Sequence, residues 1–129
     1  MDEPRFLTLK EVLYLHDEAL VRFGGLSGIG ALGLIESALG AVQNAFWYGR
    51  GDLFEIAGAY GFHVAESQAF VDANKRTGVA AALMFLTVNA VSVPEDDGSV
   101  YQALIDIANK RLDKTGLAEV LRKLVETQR

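Results

Sequence analysis

Gly28-Ile29-Gly30-Ala31-Leu32-Gly33 decides the fold class, because two architectures compete for it. The six residues match the glycine pattern of dinucleotide-binding folds, and Asp52 lies at a suitable distance downstream for a ribose contact. That pattern carries chemistry only where it follows a β-strand inside a βαβ unit. Here it follows Thr8-Leu9-Lys10-Glu11, a capping-box sequence, after which Leu9, Val12, Leu13, Leu20 and Phe23 keep a helical rhythm. A helix in that place turns the glycines into a loop that needs permissive backbone angles, and the dinucleotide reading fails.

Outward from this loop the chain reads as helices. The first is expected from about Thr8 to Phe23, stopped by Gly24-Gly25, and a second from Leu32 to Phe46. Tyr48-Gly49-Arg50-Gly51-Asp52 breaks the chain, and Asp52 is placed to cap a third helix from Leu53 to about Ser67. A small-rich helix from about Asn74 to Asn89 carries Ala80, Ala81 and Ala82, which would admit a close neighbour, so it is the expected centre of the bundle. Pro94-Glu95-Asp96-Asp97-Gly98 reads as a turn and cap cluster with solvated carboxylates. Helices then follow from Val100 to Arg111 and from Thr115 to about Gln128. Period two is absent, apart from a possible extended piece at Val91-Ser92-Val93. The expectation is an all-α bundle of about six helices forming one domain over residues 1–129, without repeat or linker.

Composition narrows the function classes. Half of the residues are apolar and only two are proline, which excludes a disordered or collagen-like chain. Twelve Lys and Arg against 17 Asp and Glu give a formal charge of −5, which argues against a broad electrostatic grip on nucleic acid or on an anionic membrane. No cysteine is present, so disulfides, thiolate zinc sites and cysteine nucleophiles are excluded. The apolar stretch from Gly78 to Leu86 is shorter than the roughly 20 residues of a bilayer span. Met1-Asp2-Glu3-Pro4 lacks the basic and apolar character of a secretory signal, and a cytoplasmic location is expected.

The chemistry is concentrated in Phe70-Val71-Asp72-Ala73-Asn74-Lys75-Arg76-Thr77, between two helical patterns. If a helix begins near Asn74, the amides of its first turn are unpaired and can cradle a phosphate. Lys75 and Arg76 then sit where the helix dipole disfavours cations, a cost that an anionic ligand would remove. Asp72 adds a hard oxygen ligand of the kind that holds magnesium bridging nucleotide phosphates. The plainer alternative is also open: Asp72 or Asn74 caps the helix, and the two cations are solvated. Phe70 is a core residue on either reading.

Gln68-Ala69-Phe70-Val71-Asp72-Ala73-Asn74-Lys75-Arg76 resembles the motif of the Fic/Doc family, specifically its death-on-curing branch: His, any residue, Phe, any residue, Asp, Ala or Gly, Asn, Lys, Arg. Six of the seven fixed positions match. Phe6-Leu7-Thr8-Leu9, Leu15-His16, Gly33-Leu34-Ile35-Glu36-Ser37-Ala38-Leu39 and Thr77-Gly78 with Ala80-Ala81-Ala82-Leu83 also look like that branch. The resemblance implies a helical bundle that binds ATP and Mg2+. Asp72 would hold the metal, Asn74 would line the anion site, Lys75 and Arg76 would bind phosphates, and Phe70 would anchor the loop. It further implies transfer of AMP or phosphate to a protein hydroxyl, on a translation factor in the death-on-curing branch, with an antitoxin acting in trans as partner. Lysine after Asn74 places the chain nearer the phosphate-transferring group.

The departure is Gln68, at the position of the family's catalytic histidine. Histidine accepts a proton near neutrality and a glutamine amide does not, so activity is expected to be impaired or altered, or replaced by a protein-binding role. His63 stands five residues earlier, about 140° around a continuous helix, and is expected to pack or bond locally instead of substituting as base. Glu66 is expected to be solvated, His16 to be a satisfied core histidine, and Trp47 with Phe46 and Tyr48 to mark a packed corner in preference to an exposed partner surface. Glu36 either faces the site or solubilises its helix.

Overall fold

A computed structural model of the protein describes residues 3–49 and 51–127. They form six helices: α1 (Leu9–Phe23), α2 (Leu32–Gly49), α3 (Leu53–Ser67), α4 (Asn74–Val88), α5 (Ser99–Ala108) and α6 (Lys114–Glu126). The all-helical architecture agrees with the sequence reading, and the ends differ by local causes. Tyr48 and Gly49 extend α2 where a break was expected, and Arg50 lies outside the described residues. α5 stops at Ala108 because Asn109 turns out of the helix and Lys110 takes a positive φ of 60°. The expected end at Gln128 also lies outside the described residues. Residues 91–93 form no strand.

Two helix starts repeat one local solution. Thr8 accepts the Glu11 amide at 3.1 Å while Glu11 accepts the Thr8 amide at 2.9 Å. Asp52 and Glu55 repeat that reciprocal pair at the head of α3. The start of α5 is held from a distance: Asp96 accepts the amides of Gly98, Val100 and Tyr101, so it is a structural cap as well as part of a solvated turn.

The bundle centres on α3, which packs against α2, α4, α5 and α6, whereas α4 packs against α1, α3 and α5. The expectation that α4 forms the centre is therefore corrected in favour of the α3 and α4 pair. The close approach also differs from the expected one. A Cβ on Gly78 would meet the Gly61 carbonyl at 2.8 Å, so Gly78, more than the alanine run, sets the spacing of the two helices. Tyr60, Phe85, Leu86, Leu104, Leu117 and Leu121 fill the interior. The Tyr60 hydroxyl accepts the Leu7 amide at 2.8 Å, and burial pushes its pKa up to about 12. The N-terminal segment is thereby tied to the core helix, and the whole bundle holds the α3 to α4 connection on a rigid base.

Candidate functional site

The six residues from Gln68 to Ala73 connect α3 to α4, and the loop begins and ends in the left-handed region: Gln68 has φ 52° and Ala73 φ 64°. Each such residue with a side chain costs roughly 1 kcal/mol or more. The surrounding contacts hold the loop in this shape. Asn74 closes it from below, its Oδ1 accepting the Phe70 amide at 3.1 Å and its Nδ2 donating to the Phe70 carbonyl at 3.0 Å. Thr77 donates its hydroxyl to the Ala73 carbonyl at 2.7 Å. Phe70 is buried and stacks on His16, with ring centroids 3.7 Å apart. His16 Nε2 donates to the Asp72 carbonyl at 2.9 Å. His16 is the satisfied core histidine expected, and its partner is the motif loop itself.

The glycine loop between α1 and α2 braces the other side. Gly30 and Ala31 donate to the Ala69 carbonyl at 2.7 and 3.2 Å, Val71 donates to the Gly28 carbonyl at 3.0 Å, and Ile29 and Phe70 form an isolated antiparallel bridge. Gly28 has φ +135°, and a Cβ there would lie 2.9 Å from a Val71 methyl. Permissive angles and close backbone approach thus explain the glycines, as the failure of the dinucleotide reading requires.

A cleft of about 540 Å³ opens over this loop, lined by Phe23, Gly25, Gln68, Asp72, Asn74, Lys75, Arg76 and Tyr101 among others. The α4 N-terminus opens into it. Its N-cap is Ala73, which has no capping side chain, and among the described residues no side chain accepts the amides of Asn74, Lys75 or Arg76, so these keep their partial positive charge. Neither Asp72 nor Asn74 takes the capping role that the plainer sequence reading offered. Asn74 lines the cleft, although both ends of its amide already hold Phe70.

Asp72 is exposed at the rim. Its Oδ1 accepts the Ala73 amide at 2.9 Å and its Oδ2 the Leu26 amide at 3.2 Å, and these backbone donors, Ala73 first, hold its carboxyl below the usual range. Gly25 permits the approach, since a Cβ there would lie 2.9 Å from Asp72 Oδ2. Each oxygen retains a lone pair for a cation. No group of three or more His, Asp or Glu among the described residues could hold a metal alone. One carboxylate fits a magnesium ion that arrives with a polyphosphate, because Mg2+ is commonly held by one or two carboxylates plus substrate phosphates.

Two cations face this rim. Neither Lys75 nor Arg76 pairs with a carboxylate among the described residues, whereas Arg5, Arg22, Arg111 and Arg122 do. Arg76 has its guanidinium carbon 4.1 Å from the Phe23 ring centroid and 3.8 Å from that of Tyr101. Contact with the two rings uses none of the guanidinium N–H donors in an ion pair, so they remain for an anion.

Gln68 is exposed on the cleft, and its Nε2 donates to the Ala65 carbonyl at 3.3 Å. The other candidates separate as the spacing suggested. His63 Nε2 lies 3.5 Å from Lys114 Nζ on α6, and burial, then that ammonium, lowers its pKa, consistent with a neutral ring. Glu66 and Glu36 are exposed. The packed corner is corrected: Phe46 is buried, but Trp47 is 46% exposed and Tyr48 is 87% exposed. Sequence reasoning missed Phe23 and Tyr101 as site residues. Helical rhythm assigns Phe23 to the core, yet it is 52% exposed, and nothing local connects either ring to Arg76.

Two comparisons relate the chain to known proteins. The model of the Fic/DOC family matches residues 6–86, which include the glycine loop, the motif loop and most of α4. The chain is also similar to "Protein kinase doc" of Escherichia phage P1. The two are 35% identical over 121 residues, covering 93% of this chain and 95% of that protein.

Proposed function

The chain belongs to the Fic/DOC family, and from that premise we propose that it is a Doc-like toxin whose motif cleft binds ATP with Mg2+ and passes phosphate, or AMP, to a protein hydroxyl. The carrying observation is the α4 N-terminus, where among the described residues no side chain accepts the amides of Asn74, Lys75 or Arg76 and no carboxylate pairs with Lys75 or Arg76, with Asp72 at the rim. Local charges leave this end of the helix favourable to a polyphosphate. The first-turn amides, Lys75 and Arg76 would bind phosphate oxygens, Asp72 would hold Mg2+, which would supply positive charge against the polyphosphate, and Asn74 and Phe70 keep the loop in shape. The named activity of the phage relative and the Asn74-Lys75 pair favour phosphate over AMP.

In that reaction the target hydroxyl oxygen attacks the γ-phosphorus, the bond to the β–γ bridging oxygen breaks, and ADP leaves with that electron pair. For AMP transfer the attack falls on the α-phosphorus and pyrophosphate leaves. The hydroxyl proton needs an acceptor in either case. Gln68, at the family's histidine position, offers no basic nitrogen, so the proton goes to water and the reaction is slow. The acceptor protein is a translation factor, and an antitoxin acts in trans, by kinship with the death-on-curing branch.

Gln68 also supports a second reading, a binding module that keeps nucleotide and protein recognition without transfer. Transfer of labelled phosphate from ATP to translation factors distinguishes the two. Gln68→His is expected to raise the rate by roughly 10²- to 10⁴-fold, and Gln68→Ala to leave it at the native level. A histidine variant that binds ATP but transfers nothing would overturn the transfer reading in favour of the binding module.

A further inference from the structure

We infer that Phe23 and Tyr101 are positioning residues that hold the Arg76 guanidinium as a fixed plane for phosphate, an inference that rests on Arg76 being a phosphate ligand. Three elements converge on this one group: the last residue of α1, the third residue of α4 and the first turn of α5. The rings cover the guanidinium at 4.1 and 3.8 Å, and Asp96 fixes the backbone of Tyr101 through its amide at 3.1 Å. Phe23 is half exposed, so burial in the core does not account for its position, whereas contact with Arg76 does. Arg22 lies farther from the same ring, at 5.3 Å, and has Glu95 as its partner.

The chemistry follows from the shape of arginine. A free arginine at a cleft rim samples many rotamers and loses that freedom when it grips an anion. Two rings packed against the guanidinium restrict it beforehand and favour one orientation of its donors, the preorganisation that bidentate recognition of phosphate needs. Stacking of this kind also weakens competition from water, since the faces of a guanidinium are poorly hydrated. An ammonium at position 76 has no plane to stack, so Arg76→Lys is expected to lose nearly as much affinity as Arg76→Ala.

A double-mutant cycle on the full chain, read by calorimetric titration with ATP and magnesium, tests the inference. Phe23→Leu and Tyr101→Leu are each expected to weaken binding by about three- to tenfold in the native background and to add nothing when Arg76→Ala is already present. Tyr101→Phe, which keeps the ring face, should restore most of what Tyr101→Leu loses. Equal losses in both backgrounds, or no loss in either, would overturn the positioning role while leaving the phosphate site intact. Unchanged affinity in Arg76→Ala would overturn the phosphate role itself, and the positioning role with it. An independent reading needs no substitution that alters the rings: in the native protein the Arg76 Nε–H resonance should be shifted upfield by the two ring currents, and an unshifted resonance would contradict the ring contacts.

Discussion

The N-termini of α3 and α4 are built from the same backbone and put to opposite uses. At α3, Asp52 accepts the Glu55 amide at 2.9 Å, Glu55 accepts the Asp52 amide at 3.2 Å, and Arg122 reaches across from α6 to Asp52 at 2.6 Å while also pairing with Glu119. Acid stands at the positive end of the dipole, and the protein satisfies the exposed amides itself. At α4 the cap is a left-handed alanine whose own amide goes to Asp72, but among the described residues no side chain accepts the amides of Asn74, Lys75 or Arg76, and the first turn carries two cations. The first arrangement stabilises the fold. The second forgoes that stabilisation and leaves positive potential beside a cleft. An unsatisfied helix end next to a satisfied one in the same bundle therefore marks the site more sharply than a motif alone.

The difference can be broken at either end. Exchange of effects is the strongest expectation: Arg76→Ala should weaken ATP binding by roughly 10- to 100-fold, the range expected for a lost charged hydrogen bond, with little change in unfolding free energy. Asp52→Ala should do the reverse, costing about 1–2 kcal/mol of stability in denaturant titration and leaving ATP affinity unchanged. If both variants lose affinity alike, the two helix ends are not functionally distinct.

A smaller effect separates the caps by backbone geometry. Glycine adopts the left-handed region without the steric cost, so Ala73→Gly should stabilise the protein by roughly 0.5 kcal/mol, seen as a higher denaturation midpoint. Loss of stability in that variant would show that the alanine methyl contributes packing that outweighs the strain.

Acid titration gives the smallest signal. Burial alone would raise the Asp52 carboxyl, but the Glu55 amide and Arg122 outweigh it and the net shift is downward. An acid with a depressed folded pKa contributes stability above its unfolded value, and that contribution is lost as pH falls through the folded value. Native protein should therefore lose stability more steeply below about pH 4 than Asp52→Asn, by a fraction of a kcal/mol because Asp52 is half exposed. Equal acid slopes would remove Asp52 from the account of how α3 is held.

Much of this contrast was legible in the sequence, because caps are local. Thr8 with Glu11 and Asp52 with Glu55 announce their helices within four residues, whereas the sequence around Asn74 left a phosphate cradle and a cap by Asp72 or Asn74 both open. The pairing of Gly28 with Val71 was not legible, since it depends on where two loops meet in space. The same holds for the Phe23, Arg76 and Tyr101 stack, assembled from three helix ends that share no local signal. The place of α3 at the centre was hidden for a related reason: Gly78 matters for the approach it allows to the α3 backbone, and periodicity reads only one helix at a time. Trp47 shows the limit of composition, because an aromatic run gives no indication of which ring turns outward.

The central claim is that the α4 N-terminus is a polyphosphate site completed by Asp72. Calorimetric titration of the native protein with ATP, with and without magnesium, beside Asp72→Ala tests it most directly. The account predicts saturable binding that magnesium strengthens in the native protein, and a magnesium effect that is lost in Asp72→Ala while weaker metal-free binding persists. Absence of binding in the native protein, or an equal magnesium effect in both, would contradict it.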